Sequence, residues 1–149
     1  KAAEIDSKII VEEFIKGKEC EVAVIGKKRY TASTVGQIIP GSDFYDYETK
    51  YSSDSPATYN IPADILPETS LEIRAEAKKI SSILGVEGLA RVDFFVRKSG
   101  GREEVIFNEI NTLPGFTEIS MYPKLLMHDG MSYSGIIDRL IDIALGKED

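Results

Sequence analysis

Two acids, one amide and one arginine in a single stretch of the sequence have the residue types that a metal and phosphate site requires. They are Arg91, Asp93, Glu109 and Asn111. Carboxylate and amide oxygens are hard ligands, which suit Mg²⁺ whose shell is completed by water and phosphate oxygens. Two carboxylates held about 5 Å apart also repel each other unless a proton or a cation lies between them. These residue types therefore predict a divalent cation site, provided that the fold brings the side chains together.

A β-hairpin is the element that would bring them together. Residues 88–98 and 104–111 are rich in valine, phenylalanine and other strand-forming residues. Residues 99–102 between them read Ser-Gly-Gly-Arg, which is typical of a tight hairpin turn. The pattern therefore predicts two antiparallel strands joined by a short loop.

The register of this hairpin decides whether the two acids meet. If Gly101 is the centre of the loop, Asp93 lies opposite Glu109. The same register places Arg91 opposite Asn111, and alternation along each strand puts both pairs on one face. A slip of one residue would turn Asp93 to the other face. The alternative interpretation is a half-buried hairpin whose polar residues simply face solvent.

Length, composition and charge restrict the class of protein. The chain has 149 residues, 42% of them apolar and 29% charged, which is typical of a soluble globular domain with its own core. The net charge is −7 and there is no long basic run, which argues against nonspecific binding to nucleic acid or to an anionic membrane. No stretch is long and apolar enough to span a membrane. A nucleotide remains a possible ligand, because a local group of basic residues can bind it within an acidic protein.

The single cysteine and the single histidine carry no motif. Because Cys20 is the only cysteine, no intrachain disulfide can form, which favours a cytoplasmic location. We expect Cys20 to be a buried structural thiol. His128 follows an apolar helical run without a catalytic partner nearby, so we expect it at the surface or at a helix end.

The remaining elements are read from hydrophobic periodicity. Three strands forming a meander are predicted over residues 8–15, 20–25 and 29–35, and helices over residues 67–84, 122–128 and 132–145. In the first strand, Ile9, Ile10 and Val11 are expected to be buried. Ser120 is the predicted N-cap of the second helix, and a glycine ends the first and the third.

Residues 37–62 form a long polar stretch with no periodicity, and four aromatic residues lie close together within residues 44–51. A loop of this length inside a compact domain is more often a functional lid than a passive connection. The alternative is a loop held in place by its own aromatic side chains.

Two long motifs point to a known family. The run ARVDFFV…FNEINTLPGFTEISMYPKL closely resembles the C-terminal part of the D-alanine–D-alanine ligases, which are members of the ATP-grasp superfamily. The resemblance covers nearly the whole chain and includes VEEFIKGKECEVAVIG and FYDYETKY. It implies an α+β fold, an ATP-grasp C-terminal domain with a largely antiparallel sheet flanked by helices. Because ligases of this family are much longer, we expect residues 1–149 to be the C-terminal domain of a larger enzyme and to lack full activity alone.

The resemblance also implies the reaction. Such ligases use ATP and two Mg²⁺ ions, for which Mn²⁺ can substitute, to activate the carboxylate of one D-alanine as an acyl phosphate. The amine of a second D-alanine then attacks, which gives the dipeptide for peptidoglycan synthesis. The resemblance implies a cytoplasmic homodimer whose other partners are these small molecules, with neither nucleic acid nor membrane among them.

By the same resemblance, several residues are assigned to the nucleotide and its metal ions. The nucleotide set is Glu12, Phe14, Ile15, Glu19, Phe44, Lys50, Asn108 and Glu109. Backbone groups of residues 12–15 would grip adenine, and Glu19 would accept hydrogen bonds from the ribose hydroxyls. Asp93, Glu109 and Asn111 match the metal ligands, with Glu109 bridging the two ions.

A further set is assigned to catalysis and to the substrates. Arg91 and the Gly115 backbone N–H match the groups that stabilise the acyl phosphate and the later tetrahedral oxyanion. Tyr51 would position the substrates. Ser120 and Met121, at the start of a helix, match the site that holds the carboxylate of the second substrate, where exposed N–H groups favour an anion.

Three functions remain open from the sequence. The first is a D-alanine–D-alanine ligase, the second a D-alanine–D-serine ligase of the vancomycin-resistance type, and the third a noncatalytic nucleotide-binding module. The complete hairpin set argues against the third. Tyr51 and the absence of histidine from the lid favour an amine over D-lactate as second substrate, whereas Glu118 and Met121 leave D-alanine and D-serine undecided.

Overall fold

The computed structural model describes residues 1–39 and 58–147. In this part of the chain an antiparallel sheet carries helices on both faces, which confirms the predicted α+β class. The strands are β1 (Lys18–Gly26), β2 (Tyr30–Ala32), β3 (Gly36–Ile39), β4 (Thr58–Asn60), β5 (Gly88–Ser99) and β6 (Arg102–Asn111). The helices are α1 (Pro67–Ile83), α2 (Met121–His128) and α3 (Tyr133–Ala144), with a short 3₁₀ turn at Ala2–Glu4. The three predicted helices are thus confirmed to within two residues at each end.

The two central strands are β1 and β5. The strand order is β4-β3-β1-β5-β6, and β2 pairs with the same edge of β1 as β3, nearer its end. β1 pairs with β5 over its whole length, from Lys18 opposite Val96 to Gly26 opposite Gly88. Because both strands have neighbours on either side and helices above and below, much of their sequence is continuously apolar.

One face of the sheet packs on α1. Val22 of β1 and Val92 of β5 lie against Ile73 and Ala77, which recur at helical spacing on α1 and are fully buried. Pro67 at the first helical position suits the start of the helix. Truncating a fully buried isoleucine such as Ile73 to alanine typically costs about 2–5 kcal/mol, so this layer is a major part of the stability.

The other face is divided into an apolar end and a polar end. At the apolar end, Ala23 and Ile25 of β1 pack against Leu125 of α2 and Ile136 of α3. The buried Tyr122 hydroxyl donates to the Val24 carbonyl at 3.1 Å, which fixes α2 to the sheet. α2 and α3 cover only this end, so among residues 1–39 and 58–147 no helix covers the polar end, which carries the residues predicted to do chemistry. No described helix is long and apolar enough to cross a membrane.

The prediction of a strand over residues 8–15 is wrong. This segment is irregular, and the side chains expected to be buried are exposed: Ile9 by 49%, Ile10 by 76% and Val11 by 91%. Both edges of β1 are occupied, by β2 and β3 on one side and β5 on the other. An apolar run forms a strand only where it can pair with the free edge of another strand and pack on an apolar surface. Among the described residues, this run has neither a strand partner nor such a surface.

The predicted strand over residues 29–35 is shorter than expected, whereas the stretch over residues 37–62 that was predicted to be irregular contains strand residues at both ends, in β3 and β4. β2 ends at Ala32, and β3 begins at Gly36. Between them the Ser33 hydroxyl accepts from the Ala23 backbone N–H at 3.0 Å. Thr34 donates to the Asp129 carboxylate through its N–H at 2.7 Å and its hydroxyl at 2.6 Å. These bonds replace ladder bonds at the break. Because β2 and β3 both pair with β1 and not with each other, the predicted three-strand meander is wrong.

Cys20 is buried in β1 at 1% exposure, as predicted, and burial raises its pKa to about 12. Its thiol should therefore resist iodoacetamide at pH 8 in the folded protein and react at once in denaturant. Since the pKa is higher in the folded than in the unfolded state, its contribution to stability is complete below about pH 9 and is lost above it, at about 1.4 kcal/mol per pH unit. Denaturant titrations at pH 8 and pH 10 would measure this slope.

The matched control is Cys20→Ala, which should show a smaller loss of stability between these two pH values. Burial also raises the pKa of Tyr122, which adds to the loss at still higher pH in both proteins. An equal slope in both proteins up to pH 10 would contradict the assignment to Cys20.

His128, the single histidine, is the exposed last residue of α2, as expected.

Candidate functional site

The hairpin of β5 and β6 has the predicted pairing, but it reaches this pairing in a different way. Asp93 lies opposite Glu109, and Arg91 lies opposite Asn111. The turn, however, is closed by Ser99 opposite Arg102, so it is centred between the two glycines rather than on the second. Both glycines have positive φ, 57° and 80°, as a two-residue hairpin turn with this twist requires.

A β-bulge restores the predicted register. The pairing shifts between Asp93 and Phe94, since Phe94 lies opposite Phe107 whereas Asp93 lies opposite Glu109. Asn108 is therefore an extra residue in β6. Bulges bend and twist a strand and often lie beside functional sites, where they redirect side chains. Here the bulge places the exposed Asn108 next to Glu109 at the polar end of the sheet.

A third acid joins the two that the sequence predicts. Glu21 of β1 lies opposite Asp93 of β5, which in turn lies opposite Glu109 of β6. Residues directly opposite in adjacent strands point to the same side, so three carboxylates lie side by side on one face. Glu21 could not be assigned to the site from the sequence, because the pairing of β1 with β5 joins residues far apart in the chain. The available signal was strand alternation, which places Glu21 on the same face as Glu19.

Arg91 is held by two of these acids. Its Nε–H donates to Asp93 Oδ1 at 2.8 Å and its Nη2–H donates to Oδ2 at 2.7 Å, in a bidentate pair. Arg91 Nε also lies 3.4 Å from Glu21 Oε2. All three side chains are mostly buried, with exposures of 21% for Arg91, 12% for Asp93 and 13% for Glu21.

The charges around Arg91 keep it cationic and oriented. The hydrogen bond to Asp93 raises the pKa of Arg91 the most, and the nearby charges of Glu21, Asp93 and Glu109 raise it further, against the opposing effect of burial. Among these four side chains, one guanidinium and three carboxylates leave a formal excess of two negative charges. Such an excess favours the binding of a divalent cation.

The side-chain oxygens at this site could supply part of the coordination shell of Mg²⁺. Asp93 and Glu109 offer carboxylate oxygens, and Asn111 offers an amide oxygen that also accepts from the Leu113 N–H at 3.0 Å. Within the described residues, no group of three or more acidic, histidine or cysteine side chains converges closely enough to hold a metal by itself. Water and phosphate oxygens must therefore complete the shell, which is the usual way in which Mg²⁺ is bound at phosphate sites.

The loop between β6 and α2 places Gly115 beside Ser120. Ser120 is in the N-cap position of α2, as predicted, but its side chain does not cap the helix. Its Oγ instead accepts from the Thr117 N–H at 3.0 Å. A β-carbon placed on Gly115 would lie 3.0 Å from that Oγ, so the two residues are immediate neighbours. Met121 has its side chain buried against Gly36, which leaves only its backbone N–H for a ligand.

Phe116 anchors this loop to the two C-terminal helices. Its carbonyl accepts from the Tyr133 hydroxyl at 2.9 Å. Its ring packs on those of Tyr122 and Tyr133, with centroids 5.8 Å and 5.4 Å away. The backbone around Gly115 is therefore held by side chains of α2 and α3.

The residues matched to the nucleotide lie in two places. Glu12, Phe14 and Ile15 belong to the irregular segment before β1, whereas Glu19 is half-buried within β1 on the face of Glu21. Phe44, Lys50 and Tyr51 lie outside the described residues, as does most of the predicted lid.

One cation ties the irregular segment to the hairpin. Arg97 of β5 donates to Glu13 at 2.9 Å and to Glu104 of β6 at 3.0 Å. The segment that contains Glu12, Phe14 and Ile15 is thereby linked to the strands that carry the acids.

Among the described residues, open grooves that lie elsewhere contain none of the predicted hairpin residues. One runs between β4 and α2, where Lys124 Nζ lies 4.3 Å from the centre of the Tyr59 ring. The other lies between β2 and α1, beside Arg74 and Lys78. In the part of the chain that the structure describes, the candidate site is thus a sheet face outside these grooves.

Comparison with known proteins assigns the chain to a family. The family model described as the D-ala D-ala ligase C-terminus matches residues 1–142. This chain belongs to that family. It is 52% identical over 146 residues to the D-alanine–D-alanine ligase of Acetivibrio thermocellus, covering 98% of this chain and 38% of that protein. It is 51% identical to the D-alanine–D-alanine ligase A of Escherichia coli K12, with 98% and 39% covered. The chain thus spans about two fifths of the length of these curated ligases.

Solved structures of ligases resemble the fold as well. The D-alanine–D-alanine ligase of Coxiella burnetii has a TM-score of 0.76 at 35% identity, covering 91% of this chain and 34% of that one. The VanG D-Ala:D-Ser ligase of Enterococcus faecalis has a TM-score of 0.74 at 37% identity, with 88% and 37% covered. The Bacillus anthracis ligase complexed with ATP has a TM-score of 0.66 at 27% identity, with 90% and 41% covered. The predicted resemblance to the ligase family and its fold class are confirmed.

Proposed function

We propose that this chain forms the metal-, phosphate- and second-substrate-binding part of an ATP-dependent D-alanine–D-alanine ligase. The observation that carries the proposal is the row of acids across β1, β5 and β6 with a bidentate arginine beside it. The row belongs to a chain whose family is that of the ligase C-terminus. The product is the dipeptide used for peptidoglycan.

Asp93, Glu109 and Asn111 are the residues proposed to hold Mg²⁺, with Glu109 between two ions. When bound, Mg²⁺ or Mn²⁺ neutralises the phosphate charge that builds up during transfer. The polar end of the sheet supports this role, because its three neighbouring carboxylates favour a counter-ion and the proposed ligands are all hard oxygens.

Arg91 is proposed to stabilise the negative charge of the acyl phosphate and of the tetrahedral oxyanion that follows. Its guanidinium is permanently charged and its orientation is fixed by Asp93 before any ligand arrives. A preorganised donor needs no rearrangement when charge develops, which is the main source of electrostatic catalysis.

Gly115, Ser120 and Met121 are proposed to receive the second substrate. The Gly115 N–H would stabilise the oxyanion, and glycine allows close approach. The Ser120 hydroxyl and the Met121 N–H lie at the start of α2, where the helix dipole favours a carboxylate. The anchoring of the loop through Phe116 supports a fixed geometry for these groups.

The nucleotide is proposed to lie between the irregular segment and the sheet. Backbone groups near Glu12, Phe14 and Ile15 would hold adenine, Glu19 the ribose, and Asn108 with Glu109 the phosphate side. For Phe44, Lys50 and Tyr51 the proposal rests on the sequence resemblance alone. We also propose that the intact enzyme is a cytoplasmic homodimer. Sedimentation of the intact enzyme would test the dimer.

D-Serine is a second candidate for the second substrate. The VanG D-Ala:D-Ser ligase resembles this chain as closely as the Coxiella burnetii D-alanine–D-alanine ligase does, with TM-scores of 0.74 and 0.76. The overall fold therefore does not separate the two substrates.

The test is phosphate release and product formation by the full-length protein that contains this chain. With ATP, Mg²⁺ and D-alanine alone, we expect phosphate release and a D-alanyl-D-alanine product detected by mass spectrometry. D-serine or D-lactate is then added in competition. If the mixed product dominates, the added compound and not D-alanine is the second substrate. Binding of ATP without any phosphate release would instead support the noncatalytic module and contradict the proposal.

A further inference from the structure

Glu21 is the acid of the site to which no role has been given. It lies opposite Asp93 on one side and opposite Gly36 on the other, in the middle of β1. Its side chain is only 13% exposed, and its Oε2 lies 3.4 Å from Arg91 Nε. A carboxylate buried to this extent is costly unless a cation compensates it, and Arg91 lies close enough to do so.

Asp93 is required for two interactions at once. Both of its oxygens accept hydrogen bonds from Arg91, at 2.8 Å and 2.7 Å. A carboxylate that ligates Mg²⁺ has to direct at least one oxygen to the ion, so at least one of these bonds must be given up. The guanidinium, which is mostly buried, would then lose half of its bidentate partner.

We propose that Glu21 is a positioning residue that keeps Arg91 in place when Asp93 turns to the metal. Because Glu21 lies directly across the strand pair from Asp93, a small rotation of the guanidinium exchanges one carboxylate for the other. Arg91 therefore stays on the same face, pointed at the reacting phosphate, in both arrangements. Glu21 itself touches neither substrate nor metal.

This inference rests on the proposed function of Asp93 as a metal ligand, and it makes a distinct prediction. Without the charge of Glu21, metal binding at Asp93 would leave Arg91 buried without a full counter-ion. Metal binding should then be weaker, although every metal ligand is intact. Some residues do not bind the metal but orient the residues that do. Removing such a residue typically lowers metal affinity or activity by roughly 10- to 100-fold.

The experiment uses the full-length enzyme and a non-hydrolysable ATP analogue, so that the readout is binding and not turnover. The Mg²⁺ concentration for half-maximal binding of the analogue is measured for wild type, Glu21→Gln, Glu21→Asp and Asp93→Asn. For Glu21→Gln we expect it to rise roughly 10- to 100-fold. Glu21→Asp keeps the charge and should lie closer to wild type.

The control variant is Glu87→Gln. It makes the same chemical change in an exposed ion pair, with Lys27 at 2.9 Å, and should leave the Mg²⁺ dependence unchanged. Thermal unfolding of each variant shows whether a change in binding reflects a change in folding. Should Glu21→Gln fold poorly, the Arg91 Nε–H signal of wild type decides, because its loss by exchange when Mg²⁺ and the analogue are added would contradict the inference.

A second readout follows Arg91 directly. In enzyme labelled with ¹⁵N-arginine, the Nε–H signal is assigned by its loss in Arg91→Lys. With Mg²⁺ and the analogue present, we expect this signal to persist in wild type and to be lost by exchange with water in Glu21→Gln.

The outcomes separate the inference from the proposed function. If Asp93→Asn weakens Mg²⁺ dependence but Glu21→Gln does not, the role of Glu21 is wrong and the metal site stands. If Asp93→Asn has no effect, the metal assignment itself is wrong and the inference falls with it. Equal losses in Glu21→Gln and Glu21→Asp would show that size rather than charge matters, which also overturns the inference.

Discussion

Replacing Glu109 by alanine in the full-length enzyme is expected to lower kcat by about a hundredfold or more while the protein stays folded. Glu109 is exposed at the end of β6, so its removal leaves neither a cavity nor a buried charge. The same side chain is the proposed bridge between two ions, so the charge compensation of the phosphates would be lost. Stability and activity should thus separate at this residue.

Initial rates at saturating ATP over a wide range of Mg²⁺, together with Tm, measure both parts of this prediction. The control is Glu104→Ala on the same strand. Glu104 is also exposed and pairs with Arg97, but it is not in the proposed site. Normal turnover of Glu109→Ala at saturating Mg²⁺ would remove Glu109 from the metal site.

Replacing Arg91 by lysine should lower kcat by about a hundredfold even though the charge is kept. Lysine has no planar fork and cannot make the two parallel hydrogen bonds to Asp93 at 2.8 Å and 2.7 Å. A loss of about 1–3 kcal/mol in the free energy of unfolding is also expected, because Asp93 and Glu21 are mostly buried and would be poorly satisfied.

The separation of kcat from KM is the informative measurement. The oxyanion exists only in the transition state and the intermediate, so the loss should fall mainly on kcat. Arg74→Lys serves as the control, since the Arg74 guanidinium also donates a hydrogen bond, to the Ala32 carbonyl at 3.1 Å, but from α1 on the other face of the sheet. A change confined to the KM for ATP would mean that Arg91 binds only the ground state of the nucleotide.

The hairpin could be predicted from the sequence because its signals are local. Two strand-forming runs and a pair of glycines lie within one short stretch, and the pairing of Asp93 with Glu109 follows from counting outward from the loop. The count was correct only because two differences cancel. The turn is centred before Gly101, and the bulge at Asn108 adds the residue that compensates. A bulge has no sequence signal comparable to that of a glycine turn, so it could not be foreseen.

The parts that failed depend on contacts between distant residues. The apolar run at Ile9, Ile10 and Val11 has the propensity of a strand, but propensity does not reveal whether an edge is vacant. Glu21 was missed for the same reason, since it enters the site only through the pairing of β1 with β5. Ser120 was placed correctly at the start of α2, yet its hydroxyl turns to Thr117, a preference that depends on the shape of the loop.

The attachment of Phe116 to Tyr133 has a consequence for the order in which the protein opens. Because the glycine loop is held by a hydrogen bond and a ring contact to α3, a fluctuation that detaches α3 also releases the loop. Amide protons near Gly115 and those of α3 should therefore exchange with solvent as one cooperative unit, while those of β1 and β5 stay protected. Helix α3, although distant from the acids in sequence, then sets how long the proposed second-substrate end of the site remains assembled.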